Sequence, residues 1–139
     1  MNDASLLLDT CAAIWISHAE PISDEAMDAV RRSEAASAFI FVSPITAWEI
    51  GVLMSRGKLT SPMAPQRWFQ RLMQAPGVRL ADMSSDILIA SSFLPGAPPR
   101  DPADRILAAT AREQGHRLMT RDKSLLGYAS QGHLQVVVC

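Results

Sequence analysis

Short apolar runs alternate with helix-like segments along the chain, and this alternation limits its fold more than any other feature. The five apolar runs have the length of buried strands and lie at residues 5–8, 39–42, 78–80, 116–119 and 135–138. Helical patterns lie between them at residues 11–17, 24–32, 45–56, 66–74, 84–93 and 102–114, and a further short helix begins near Lys123. Strands that alternate with helices favour a parallel sheet, so the sequence predicts an α/β domain.

The size and cysteine content set the class of protein. A chain of 139 residues fits one compact domain over residues 1–139. Its two cysteines, Cys11 and Cys139, form no CxxC pair, which argues against a disulfide framework or a zinc knuckle. The apolar run at 6–8 is too short for a signal peptide or a membrane span, so we expect a cytoplasmic protein. The net charge of −1 provides no overall attraction for nucleic acid.

Two aspartates directly follow predicted strands. Asp9 comes after the first strand and Asp122 follows the fourth. Ligands of open parallel sheets bind at the carboxyl ends of the strands, where the strand order reverses. If these two strands are neighbours, Asp9 and Asp122 face one pocket. The alternative is that each aspartate only caps the helix that follows it.

Glu49 lies on the apolar stripe of its predicted helix, beside Ile45, Val52 and Leu53. Such a carboxylate is costly to ionise unless a cation or several hydrogen-bond donors meet it. The alternative is a glutamate at the edge of the stripe that reaches solvent or Arg56.

A fourth acid opens the long helix. Asp101 and Pro102 are typical of the N-cap and the first helical position, so we interpret Asp101 as structural. Asp104 follows in the first turn, near the positive end of the helix dipole. Convergence of Asp9, Glu49, Asp104 and Asp122 would cause strong repulsion, which a divalent cation removes. Hard oxygen ligands without His or Cys favour Mg²⁺ or Mn²⁺, and phosphodiester hydrolysis is the natural chemistry of such a site.

Four stretches together resemble a PIN domain, and more narrowly the VapC toxins of bacterial toxin–antitoxin pairs. They are 6–10 (LLLDT), 43–50 (SPITAWEI), 100–109 (RDPADRILAA) and 119–122 (MTRD). The resemblance implies a three-layer α/β/α sandwich with a central, mainly parallel sheet of four or five strands. It also implies a Mg²⁺- or Mn²⁺-dependent endoribonuclease that acts on RNA, is inhibited by a VapB-like antitoxin and forms a homodimer. The family's catalytic and metal-binding acids fall on Asp9, Glu49, Asp104 and Asp122.

The sequence departs from the family pattern at two positions. Pro99 stands where many relatives have His, and Leu53 stands where many have Lys. Four basic residues flank the acidic positions and are candidates for holding the RNA backbone, namely Arg100, Arg105, Arg121 and Lys123. They can equally balance the neighbouring carboxylates.

Two other functions compete with a nuclease. One is a PIN-like module that binds RNA or a protein partner with weak or no nuclease activity. The other is a phosphotransferase with Asp9 as nucleophile. The common version of that chemistry needs a second acid two residues later, where this chain has Cys11.

Overall fold

A computed structural model describes residues 5–139. Within them the strands are β1 (Leu6–Leu8), β2 (Ile40–Val42), β3 (Val78–Leu80), β4 (Arg117–Thr120) and β5 (Val136–Val138). The helices are α1 (Thr10–Ser17), α2 (Asp24–Ala35), α3 (Pro44–Ser55), α4 (Pro65–Met73), α5 (Ser85–Ala90), α6 (Pro102–Gln114) and α7 (Lys123–Ser130).

The five strands form one parallel sheet in the order β3-β2-β1-β4-β5. Leu8 pairs with Val42 on one side and with Met119 on the other. The chain builds one half of the sheet from β1 to β3 and then crosses to β4 and β5. The strand order therefore reverses between β1 and β4, which confirms that the first and fourth strands are neighbours.

Helices cover both faces of the sheet, because successive side chains of a strand point in opposite directions. Leu6 and Leu8 belong to one apolar cluster, together with buried residues of α1, α2 and α4. Leu7 belongs to a second cluster, which α6 and α7 complete. This arrangement confirms the three-layer α/β/α sandwich, and its sheet is wholly parallel.

The predicted boundaries hold to within a few residues, with α5 as the main exception. The predicted helix at 84–93 is observed only at Ser85–Ala90. Ser84 is its N-cap and accepts a hydrogen bond from the Ile87 amide, which accounts for its start. Turns follow Ala90, and Phe93 is 81% exposed there. The long helix ends at Gly115, whose φ of 74° is the left-handed conformation that glycine commonly adopts at a helix C-terminus. None of the described helices is long and apolar enough to span a membrane.

Candidate active site

Asp9 and Asp122 lie at the carboxyl ends of adjacent strands. Asp9 directly follows β1, and its amide donates to the Met119 carbonyl of β4 at 3.1 Å. Asp122 follows β4 by two residues. Thr120 lies between these acids: its Oγ1 accepts from the Asp122 amide at 3.0 Å, and its side chain is hydrogen-bonded to Asp9. The two aspartates are therefore neighbours at one edge of the sheet.

Both aspartates also cap the helices that they precede. Asp9 Oδ1 accepts from the Ala12 amide at 2.7 Å, and Asp122 Oδ2 accepts from the Leu125 amide at 3.0 Å. Capping and a place in the site are therefore compatible rather than alternative. Burial raises the pKa of Asp9, the hydrogen bonds from Thr120 and Ala12 lower it, and the charge of Asp122 raises it again.

Glu49 is half-buried on α3 and is tied to the start of α1. Thr10 Oγ1 donates to Glu49 Oε1 at 2.5 Å, and the same hydroxyl lies 3.1 Å from Thr46 Oγ1. Both threonines are buried. Burial raises the pKa of Glu49, the bond from Thr10 lowers it, and the charges of Asp101 and Asp9 raise it. Glu49 is thus held towards Asp9 by a neighbour of that aspartate.

Asp104 completes the acidic set from the first turn of α6. Its amide donates to Asp101 Oδ2 at 3.0 Å, which confirms Asp101 as the helix cap. Burial raises the pKa of Asp104 to about 7, with further contributions from the charges of Asp101, Asp122, Glu49 and Asp9. All four predicted acids are therefore close enough to interact, and Asp101 adds a fifth negative charge that the sequence interpretation had treated as structural only.

The negative charges of the acids also affect the pKa of a neighbouring thiol, that of Cys11. Burial raises the pKa of Cys11 to about 11, and the charges of Asp9, Glu49, Cys139 and Asp122 raise it too. Among residues 5–139, however, no group of three His, Cys, Asp or Glu side chains forms a ready-made metal cage. The carboxylates of this part of the chain therefore influence one another's pKa without forming a group of three that could hold an ion directly.

The four basic residues predicted to flank the acids differ in where their side chains lie. Arg100 and Lys123 are exposed. Arg105 Nη1 donates to the Ser91 carbonyl at 3.3 Å, towards the end of α5. Arg121 lies over the Trp15 ring and its charge lowers the pKa of Asp9, so of these four it is the one that acts on that acid.

Three contributors to the site were not predicted in these roles: Thr46, Trp15 and the charge of Asp101. Thr46 is one turn before Glu49 on the same helix, so helical spacing could have indicated that both face Thr10. No sequence pattern indicates the contact of Trp15 with Arg121, because the two lie on elements distant along the chain.

The protein is an α/β/α sandwich with a parallel sheet, and its acidic residues lie where the strand order reverses. The chain belongs to the PIN domain family, whose model matches residues 6–130. It is similar to Ribonuclease VapC22 of Mycobacterium tuberculosis, with 32% identity over 123 residues that cover 87% of this chain and 89% of that protein.

Solved structures of toxin–antitoxin complexes have a similar fold. A toxin–antitoxin complex from Klebsiella pneumoniae matches with a TM-score of 0.61 and 25% identity, over 95% of each chain. VapBC2 from Rickettsia felis, bound to a DNA fragment from their promoter, matches with a TM-score of 0.67 and 14% identity, over 96% of this chain and 98% of that one. At that identity the second match supports the fold alone.

Proposed function

We propose that this protein is a metal-dependent endoribonuclease that acts as the toxin of a type II toxin–antitoxin pair. One observation carries the proposal: Asp9, Glu49, Asp104 and Asp122 interact at one edge of the sheet, where burial and the charges of Asp101, Asp122, Glu49 and Asp9 raise the pKa of Asp104 to about 7. Carboxylates placed at such a cost are typical of functional sites. Membership of the PIN family and the similarity to a named ribonuclease support RNA as the substrate.

The donor set fits a hard divalent cation. Asp9, Glu49, Asp104 and Asp122 offer only carboxylate oxygens, and Mg²⁺ usually binds through one or two carboxylates while it keeps several waters. Such an ion therefore needs no ready-made cage of three side chains. When bound, Mg²⁺ or Mn²⁺ would lower the pKa of a water and stabilise charge on the phosphodiester oxygens.

The chain's own residues would hold these acids in fixed positions. Thr120 and the Ala12 amide orient Asp9, and Thr10 orients Glu49. Asp104 is held by its helix rather than by a side-chain bond, since its amide is the group that contacts Asp101. Arg100 and Lys123 are exposed and would neutralise phosphates of the RNA backbone.

Cleavage of labelled RNA by the purified protein tests this function. We expect cleavage with Mg²⁺ or Mn²⁺ and none with EDTA. Asp9→Asn and Asp104→Asn should each lower the rate by about a hundred-fold or more, since each removes a ligand charge from the cation. Asp28→Asn is the matched control, because Asp28 is exposed on α2 in a surface ion pair with Arg32. Cleavage that persists in EDTA, or in both site variants, would exclude the metal mechanism.

This protein has a groove suited to an antitoxin partner on the face of the sheet that α1 and α4 cover. A cavity of about 590 Å³ lies there, with Trp68 and Leu72 from α4 and the strand residues Leu8, Ile40 and Val78 among its lining. We propose that an apolar segment of a VapB-like antitoxin occupies this groove.

Growth of a bacterial host tests the toxin function itself. Expression of this chain alone should arrest growth, whereas expression of the Asp104→Asn variant should not. Normal growth at confirmed levels of folded protein would count against a toxin.

Two further properties complete the proposal. Trp48 and Phe93 are 62% and 81% exposed, and exposed apolar side chains of this kind favour a protein–protein interface such as that of a homodimer. A cytoplasmic location is supported by Cys11 and Cys139, which are free thiols as a reducing compartment would keep them.

A PIN-like RNA-binding module with weak or no nuclease activity is the second candidate. The departures from the family pattern at Pro99 and Leu53 are the observations that favour it. It predicts RNA binding with no cleavage in Mg²⁺ or Mn²⁺, so the same assay separates the two.

A further inference from the structure

The side chain of Arg121 is held in a fixed plane against Trp15. Its Cζ lies 3.6 Å from the centroid of the Trp15 ring, which is a close cation–π contact. Its Nη2 donates to the carbonyl oxygen of Cys139 at 3.1 Å. An indole therefore covers one face of the guanidinium, and a backbone carbonyl occupies part of its edge.

This stack lies beside the acidic site. Arg121 stands between Thr120 and Asp122 in the chain, at the carboxyl end of β4. Trp15 lies on α1, the helix that Asp9 caps. The stack thus borders two of the four carboxylates, and both its members are anchored to elements that position them.

Arg121 is an exposed residue even while it contacts Trp15 and Cys139, which is consistent with an open second face of its guanidinium. The flat face of arginine is a surface on which RNA bases stack. A phosphate would instead need the edge, part of which already bonds to the Cys139 carbonyl. A phosphate there would also meet the charges of Asp9 and Asp122, whereas an uncharged base would not.

We propose that the stack of Arg121 on Trp15 is a nucleobase platform that positions one base of a single-stranded RNA next to the acidic site. This inference rests on the proposed ribonuclease function and adds a binding residue to it. The platform selects for a base at one place in the RNA and is tolerant of its identity, since every base has a π-face.

Binding of short single-stranded RNAs in Mg²⁺ tests the platform, with the Asp104→Asn protein used to prevent cleavage. One RNA is intact, and in the others each nucleotide in turn is replaced by an abasic one. We expect one abasic position to weaken binding about five-fold or more, and the rest to matter less. Adding Arg121→Lys, which keeps the charge but loses the plane, should weaken binding of intact RNA to a similar extent. It should cause little further loss with the RNA that is abasic at the sensitive position.

Arg112→Lys is the matched control. Arg112 also donates to a backbone carbonyl, that of His133 at 2.5 Å, but it lies near the C-terminal end of α6. We expect this variant to bind every RNA as the parent does. Thermal unfolding of each variant checks that it is folded.

Three outcomes would overturn the platform. They are equal affinity for all abasic RNAs, an Arg121→Lys variant that binds as the parent does, and a loss in that variant that is the same with intact and abasic RNA. The scan of abasic RNAs needs no change at Arg121, so it decides the question even if that variant unfolds. Metal-dependent cleavage by the unaltered protein, measured in parallel, shows whether the nuclease proposal stands when the platform fails.

Discussion

Thr10 and Glu49 are joined by a hydrogen bond of 2.5 Å from the threonine hydroxyl to the carboxylate. The bond links the residue after Asp9 to Glu49, the one acid that α3 contributes. It therefore holds Glu49 in a fixed position relative to Asp9. The donor to this carboxylate is therefore a neutral hydroxyl.

Replacing Thr10 with Val should lower both activity and stability. The change removes a hydrogen bond to a carboxylate and leaves Thr46 without that partner in a buried position. Bonds of this kind contribute about 1.5–3 kcal/mol, so we expect kcat/KM for RNA cleavage to fall about ten-fold or more. Thr10→Ser keeps the hydroxyl and should retain most of the activity. Equal activity in the Val variant would show that this contact does not position Glu49.

Asp104 should make the metal-free protein more stable as the pH falls. Its folded pKa of about 7 is above the unfolded value of 3.8, so between these values the folded state binds a proton that the unfolded chain releases. Stability from this group is therefore gained as the pH drops through 7 and is lost as the pH rises. Thermal unfolding in EDTA from about pH 8 to about pH 5 measures it.

The difference in stability between the unaltered protein and Asp104→Asn, measured at each pH, isolates the contribution of the Asp104 carboxyl group. His116 has a pKa lowered by burial and acts in the opposite direction, but it is common to both proteins. We expect the variant to be the more stable near pH 8 and to lose part of this advantage in acid. Parallel pH curves would contradict the raised pKa of Asp104.

Replacing Gly115 with Ala should destabilise the fold without changing the site. Its φ of 74° lies in the left-handed region, where a Cβ is strained, so we expect a loss of about 1 kcal/mol in the free energy of unfolding. Gly127 is the matched control, since it lies within α7 and an added Cβ would meet nothing within 4 Å. Gly127→Ala should be neutral or stabilising by about 0.5–1 kcal/mol. A Gly115 variant as stable as the Gly127 variant would contradict this account of the helix end.

Removing the most exposed aromatic side chain should weaken the proposed homodimer. Phe93→Glu places a charge where an apolar contact is expected, and light scattering should show a shift towards monomer as the protein is diluted. Met27→Glu is the control, because Met27 is exposed on α2 instead. A protein that is monomeric before any substitution would exclude the homodimer.

The sequence was sufficient to predict the sheet, but not the contacts of the arginines. Apolar runs between helical patterns predicted a parallel sheet, and acids after the first and fourth strands predicted a shared edge once those strands are neighbours. Arg105 follows Asp104 directly, but adjacent residues of a helix face different directions, and its side chain reaches Ser91. The place of Arg121 depends on Trp15 and Cys139, and no local pattern encodes contacts between such distant segments.

Binding of Mn²⁺ to the purified protein, followed by the electron paramagnetic resonance signal of the free ion, tests the central claim most directly. We predict that the unaltered protein binds Mn²⁺ and that Asp9→Asn and Asp104→Asn each weaken binding about ten-fold or more, whereas Asp28→Asn binds as the unaltered protein does. Equal affinity in all four proteins would show that these carboxylates do not hold the cation, and the account of the site would be wrong.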